Sequence, residues 1–149
     1  MTPTETERAA LDAVIDRALE LHAGAPVFTA SVLHRGEVFG PHANEVGETR
    51  DPSRHAEIVA IARAGAALGT TDLSEATLIA SMQPCEMCLA AMRWAGISRL
   101  VFAMTQTRAP TFFQFPALGI DDFARAADNS FTWSGGHGAD RLSQIYEGT

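Results

Sequence analysis

The chain of 149 residues contains no lysine, and its eleven basic residues are all arginines spread along its length. Eighteen acidic residues outnumber them, for a net charge of −7. Proteins that grip nucleic acid neutralise phosphates with clustered Lys and Arg, and no such cluster exists here. The charge balance therefore favours a small, uncharged or weakly charged partner over a nucleic acid. Long apolar runs are also missing. None approaches the ~20 residues a membrane span requires, so no membrane partner is expected. The N-terminal stretch "MTPTETERAA" has no basic region ahead of an apolar run, which points to a cytoplasmic protein with reduced thiols. Cysteine is scarce too: Cys85 and Cys88, within "PCEMC", are the only two. A disulfide framework is excluded, and a length of this order buries roughly 70% of its unfolded surface without one, as one domain over 1–149.

The apolar pattern alternates between helix and strand periods. "TETERAALDAVIDRALELHAG" opens with a Thr4/Glu7 capping box and carries Leu11, Val14, Ile15, Ala18 and Leu19 at helical spacing. "VFTASVLHRGEVFG" reads as a hairpin turning at Arg35-Gly36, and "PHANEVGETRDPS" as loop. "DPSRHAEIVAIARAGAALG" is a helix with Asp51 or Ser53 as its cap and Pro52 in its first turn. "ATLIASM" reads as a strand buried on both faces, "PCEMCLAAMRWAG" as a helix opened by Pro84, and "SRLVFAM" as another strand. "IDDFARAA" and "ADRLSQIY" suit two final helices, with "SFTW" an edge strand between them. This order predicts an α/β fold with helices on both faces of a mixed sheet.

Cys85 and Cys88 fall in the first turn of a helix that follows a buried strand, so both sulfurs can reach one point. The helix N-terminus favours thiolates. On the cysteines alone, a thioredoxin-like redox pair and a metal site fit equally well. "HAE" at residues 55–57 separates them, because it too starts a helix crossing between strands. Helix starts in an open α/β sheet face the carboxyl ends of the strands. His55, Cys85 and Cys88 would then supply one nitrogen and two sulfurs, a zinc set with one position left for water. His55 and Glu57 are two residues apart, about 200° around a helix, so the motif requires the site to sit at the helix end.

"DPSRHAE" and "PCEMCLAAM" resemble the zinc motifs of the cytidine and cytosine deaminase superfamily, in which H-x-E precedes P-C-x-x-C. The likeness runs from about Phe28 to Phe102 and is closest to the branch of bacterial guanine deaminases, tRNA adenosine deaminases and fungal-type cytosine deaminases. The resemblance implies a three-layer α/β/α sandwich around a mixed five-stranded sheet. It implies Zn²⁺ on His55, Cys85 and Cys88, and Glu57 as the catalytic proton carrier. It implies a homodimer acting on a small-molecule nucleobase or nucleoside. Asn44, eleven residues before His55, matches an asparagine that contacts the substrate ring in this branch.

"LGIDDF" resembles a Gly-aromatic-Asp-Asp of the guanine deaminases, with Ile120 in place of the aromatic residue. That likeness assigns substrate contact to Asp121 and Asp122; as plain sequence they also suit the acidic start of a helix. Phe112, Phe113 and Phe115 form an aromatic loop that can stack a planar base, Phe113 being the candidate contact, or plug the core. Trp94 reads as core or subunit interface, and Glu86 as a solvent-facing residue without a task. The expected reaction is hydrolytic deamination of guanine or a related aminopurine. A cytosine-type pyrimidine and a tRNA adenosine follow as alternatives. Outside that class stand a thiol-redox protein and an inactive zinc-bearing scaffold.

Overall fold

Thr4 and Glu7 close the capping box that the N-terminal pattern predicts. Thr4 Oγ1 accepts the Glu7 N–H at 3.1 Å and Glu7 Oε1 accepts the Thr4 N–H at 2.8 Å. Helix α1 (Glu5–Leu21) follows and buries Ala10, Leu11, Val14, Ile15 and Ala18 on one side. The structure, a computed structural model, describes residues 1–148. Among these no helix is long and apolar enough to cross a membrane.

Strands β1 (Thr29–His34) and β2 (Glu37–Ala43) pair antiparallel. Their two-residue turn has positive φ at both Arg35 and Gly36 (48° and 80°), the twist that a tight hairpin requires. β3 (Ala76–Met82) is buried at every residue because it lies mid-sheet, between antiparallel β1 and parallel β4 (Arg99–Met104). β5 (Thr132–Ser134) pairs parallel to β4 as the edge strand, and the order is β2-β1-β3-β4-β5.

Alternate residues of the strands feed two apolar layers. Leu33, Ile79, Val101 and Ala103 pack under α1 together with a C-terminal 3-10 turn (Ala139–Leu142) and the short helix α6 (Ser143–Tyr146). Val32, Leu78, Ala80, Leu100 and Phe102 pack under α3 (Ala56–Leu68), α4 (Glu86–Trp94) and α5 (Ile120–Ala126). The result is the three-layer α/β/α sandwich around a mixed five-stranded sheet.

One polar cluster interrupts the α1 layer. Glu7 is 2% exposed, and its carboxylate accepts Arg99 Nε (2.9 Å), Arg99 Nη2 (2.7 Å) and the Thr77 hydroxyl (2.7 Å). The Arg99 hydrogen bonds hold the Glu7 carboxyl down at about 2, against the opposing pull of burial. One side chain thus caps α1 and locks it across β3 and β4.

Four local expectations need correction. The stretch after the hairpin is not all loop: β2 continues through His42 and Ala43, which pair with Ala30 and Thr29. Pro41 is tolerated there because β2 is an edge strand. A four-residue helix, α2 (Val46–Thr49), then intervenes. Neither Asp51 nor Ser53 caps α3. Asp51 Oδ1 instead accepts from its neighbour Ser53 (N 2.9 Å, Oγ 2.6 Å), and His55 occupies the cap. The "ADRLSQIY" tail splits into a 3-10 turn and one α turn, which together bury Leu142, Ile145 and Tyr146. Trp94 is not core: it is 91% exposed.

Candidate metal centre

Two helices begin on the residues of this site. His55 is the N-cap of α3, with extended backbone (φ −65°, ψ 157°), and its carbonyl accepts the Val59 N–H at 3.0 Å. Cys85 is the N-cap of α4, also extended (φ −71°, ψ 174°). The non-helical cap geometry resolves the angular difficulty between His55 and Glu57. His55 stands outside the helical spiral, while Glu57 lies in its first turn.

The His55 Nδ1 atom lies 3.6 Å from Cys85 Sγ and 3.6 Å from Cys88 Sγ. The three ligand atoms all fall within 4.8 Å of one another. Zinc–nitrogen and zinc–sulfur bonds of ~2.0–2.1 and ~2.3 Å at a tetrahedral angle place N and S about 3.6 Å apart. The two nitrogen–sulfur separations therefore already match a zinc set. Its electrostatics also call for a cation. Cys85 is pulled well below the usual thiol range, first by its hydrogen bond with Cys88 and then by His55. Cys88 is pushed up by that same bond and by burial. Two adjacent thiolates are stable together only beside a positive charge.

Glu57 is 6% exposed and is not one of the three ligand atoms. Burial raises its carboxyl to about 7, and the negative Cys85 adds to that shift. A cavity of about 640 Å³ opens above His55, Glu57 and Cys85. Asn44 lines it. Asn44 Oδ1 accepts the Phe28 N–H at 3.1 Å, and the Asn44 backbone N–H donates to the Phe28 carbonyl at 3.1 Å. With the carbonyl oxygen so engaged, the side-chain NH₂ is the group left to donate into the cavity.

Aromatic rings form the facing wall. Phe28 stacks on Tyr146 (5.3 Å between centroids, 19°), and Phe112 meets both edge-on (5.3 Å and 5.8 Å). Phe113 also lines the cavity and is 9% exposed, so it serves the core as well. The Tyr146 hydroxyl donates to the Val27 carbonyl at 2.5 Å and bonds Ser81 Oγ at 2.8 Å, which fixes the stack from below.

The structure brings together His55, Glu57, Cys85, Cys88, Asn44 and Phe113, and leaves Asp121 and Asp122 apart. Asp122 Oδ2 accepts the Gly119 N–H at 2.8 Å and caps α5, while Asp121 is exposed in the same turn; neither lines the cavity of this chain. Phe28, Gln83, Glu86 and Tyr146 belong to the site or its support and were not singled out for it in the sequence. Gln83, directly before Pro84 and Cys85, and Glu86, between the two cysteines, each carry a signal in their place beside the motif. Glu86 lines the cavity and bonds the Gln114 N–H, so it is not the taskless solvent-facing residue expected. A second, more open groove of about 1000 Å³ runs between α3 and α4 beside Trp94, with no titratable side chain in its lining.

Residues 4–104 match the family of the cytidine and deoxycytidylate deaminase zinc-binding region. The chain belongs to this deaminase family. The guanine deaminase of Bacillus subtilis is 36% identical over 86 residues, which make up 58% of this chain and 54% of that protein. The chain spans about half the length of the curated relatives it matches, or less. A mutant protein solved in complex with 8-azaguanine superposes with a TM-score of 0.77 at 26% identity, covering 93% of this chain and 81% of that one. A structure from work on A-to-I editing by tRNA:A34 deaminases gives 0.72 at 26% identity, covering 96% and 99%. In a family defined by a zinc-binding region, His55, Cys85 and Cys88 are the three residues that could hold the metal ion.

Proposed function

We propose that the protein is a zinc-dependent hydrolytic deaminase of a neutral nucleobase or nucleoside, with guanine or a related aminopurine as the leading substrate. The observation that carries this reading is the buried Glu57 carboxyl, set beside a three-ligand metal centre at the floor of an aromatic cavity.

Zinc, when bound, supplies the Lewis acidity that makes water a nucleophile near neutral pH. Glu57 accepts one proton of the attacking water and passes it to the ring nitrogen, then takes the proton of the newly added hydroxyl and passes it to the leaving amine. Ring C–NH₂ and water thereby become ring C=O and ammonia. Burial suits Glu57 to both halves of this task, since desolvation favours its protonated form over the exposed carboxylate and lets it hold and release a proton. Asn44 orients the ring through its NH₂ donors, and Phe28, Phe112 and Phe113 offer apolar surface to a flat ring.

Among the described residues no arginine lines the cavity, and Glu86 joins Glu57 in its wall. An anionic ligand has no counter-charge there, which favours a free base or nucleoside over a nucleotide. The relative named guanine deaminase and the neighbour holding 8-azaguanine support a purine. A tRNA adenosine is the second reading, favoured by the near-complete mutual coverage with the tRNA:A34 deaminase structure. The absence of lysine and the net charge of −7 weigh against it.

We also read the protein as a homodimer, since Trp94 projects fully exposed beside the apolar groove between α3 and α4. A cytoplasmic setting suits the two free thiols.

Ammonia release from guanine, adenine, cytosine, their nucleosides and a tRNA anticodon stem-loop tests the proposal. Turnover is expected to be fastest with an aminopurine. Stoichiometric zinc with no ammonia from any ring would leave a binding scaffold in its place.

A further inference from the structure

Glu86 stands between the two thiol ligands, in the first turn of α4, and lines the cavity. Its Oε1 accepts the backbone N–H of Gln114 at 3.1 Å, across 28 positions of the chain. Gln114 ends a short wall segment in which Thr111, Phe112 and Phe113 also face the cavity. The regular structure in that segment is a single 3-10 turn, Pro110–Phe112, so side-chain contacts must set its position. Arg108 anchors the front of the segment to Asp140 (2.9 Å) and Glu147, and Phe112 anchors its middle on Phe28 and Tyr146. Past Gln114 the chain turns outward, with Phe115 57% exposed. Glu86 is thus the tie on the end of the wall nearest the metal ligands.

We propose that Glu86 is a positioning residue whose carboxylate ties the aromatic wall of the cavity to the metal-bearing turn, holding Phe112 and Phe113 at a set distance from the ligand centre. This rests on the reading of the cavity as the substrate pocket. A carboxylate accepting a backbone N–H forms a charge-assisted bond, stronger than a neutral one. An acid in the first turn of a helix is favourable in itself, so the tie is built on a position that tolerates the charge. A wall that is already ordered spares the ligand the entropy of ordering it, and this appears in binding more than in the chemical step.

The test compares zinc-loaded wild type with Glu86→Ala and Glu86→Gln. The glutamine keeps an oxygen that can accept the Gln114 N–H. All three are expected to hold one equivalent of zinc. In Glu86→Ala the Gln114 amide should exchange with solvent roughly tenfold faster, and KM for the best ring should rise roughly tenfold with kcat little changed, the loss of one charge-assisted bond. Glu86→Gln should restore both. Gln114→Pro removes the same bond from the donor side, and the extended Phe113 (φ −115°, ψ 129°) already has the conformation a residue before proline takes. It should reproduce the KM change of Glu86→Ala. Wild-type exchange at Gln114 in Glu86→Ala, a fall in kcat at constant KM, or a Glu86→Gln variant as impaired as Glu86→Ala would each overturn the proposal. If wild type released no ammonia from any ring, the functional reading would fail instead. Amide exchange at Gln114 and the affinity for 8-azaguanine would then decide the tie by themselves.

Discussion

His55 Nδ1 lies 3.6 Å from Cys85 Sγ, although thirty positions of chain separate them. Cys88 completes the set at the same distance. Purified protein is therefore expected to carry one equivalent of zinc by elemental analysis. Cys85→Ser or His55→Ala should reduce this to below about a tenth of an equivalent, since each removes one of three protein ligands. A metal-free protein isolated with a Cys85–Cys88 disulfide would show the redox reading to be the right one.

In the proposed mechanism Glu57 carries the proton without holding the metal. Glu57→Gln keeps the volume and removes the proton carrier, so kcat should fall by roughly 10²–10⁴-fold. Zinc content should stay at the wild-type level. Near-full turnover in this variant would remove Glu57 from the mechanism.

Asn44 clasps the backbone of Phe28, and the proposed function gives it a second task toward the ligand. Asn44→Ala frees the Phe28 N–H and deletes a polar side chain from the cavity lining. Stability should drop by about 1 kcal/mol and kcat/KM by roughly tenfold or more. An unchanged kcat/KM beside the same stability loss would leave Asn44 as a strand-end clasp alone.

The Glu7–Arg99 pair makes folding sensitive to acid. Glu7 titrates at about 2 in the folded protein against an ordinary 4.5. A depressed folded value adds stability that is complete above about pH 4.5 and disappears as pH falls through about 2. Arg99 is 38% exposed, so solvent screening trims the gain to about 1–2 kcal/mol. Glu7→Gln should cost about that much at pH 7 in urea unfolding, and the gap to wild type should close toward pH 2. A constant gap across this range would show that the pair contributes packing and not charge.

Trp94 offers a separate handle on assembly. It is 91% exposed, so Trp94→Glu should alter chain stability by no more than about 0.5 kcal/mol. Light scattering should report a dimer for wild type and a monomer for the variant. A monomeric wild type would mean that the groove beside Trp94 is not a subunit contact.

Much of the fold was legible because periodicity and caps are local properties. The Thr4/Glu7 box, the Arg35-Gly36 hairpin and the all-buried run Ala76–Met82 each state their structure within a few residues. The misread elements are those in which a partner overrules the local signal. "PHA" is turn-rich, yet it is strand because β1 pairs with it. Asp51 is a good cap by type, yet it spends its oxygen on Ser53 while His55 takes the helix end.

The same division runs through the site. Which atoms could bind a metal was determined by the sequence alone, because imidazole and thiol chemistry belong to residue type and the C-x-x-C spacing sets two sulfurs on one turn. That the third donor reaches them was decided by the sheet, which brings the starts of α3 and α4 to one end of β3. The aromatic stack of Phe28, Phe112 and Tyr146 joins three segments far apart in the chain. The hold of Glu86 on the Gln114 N–H depends on distances between such segments. Those distances come from burying two apolar layers against one sheet, a sum over the whole chain that no short stretch of it encodes.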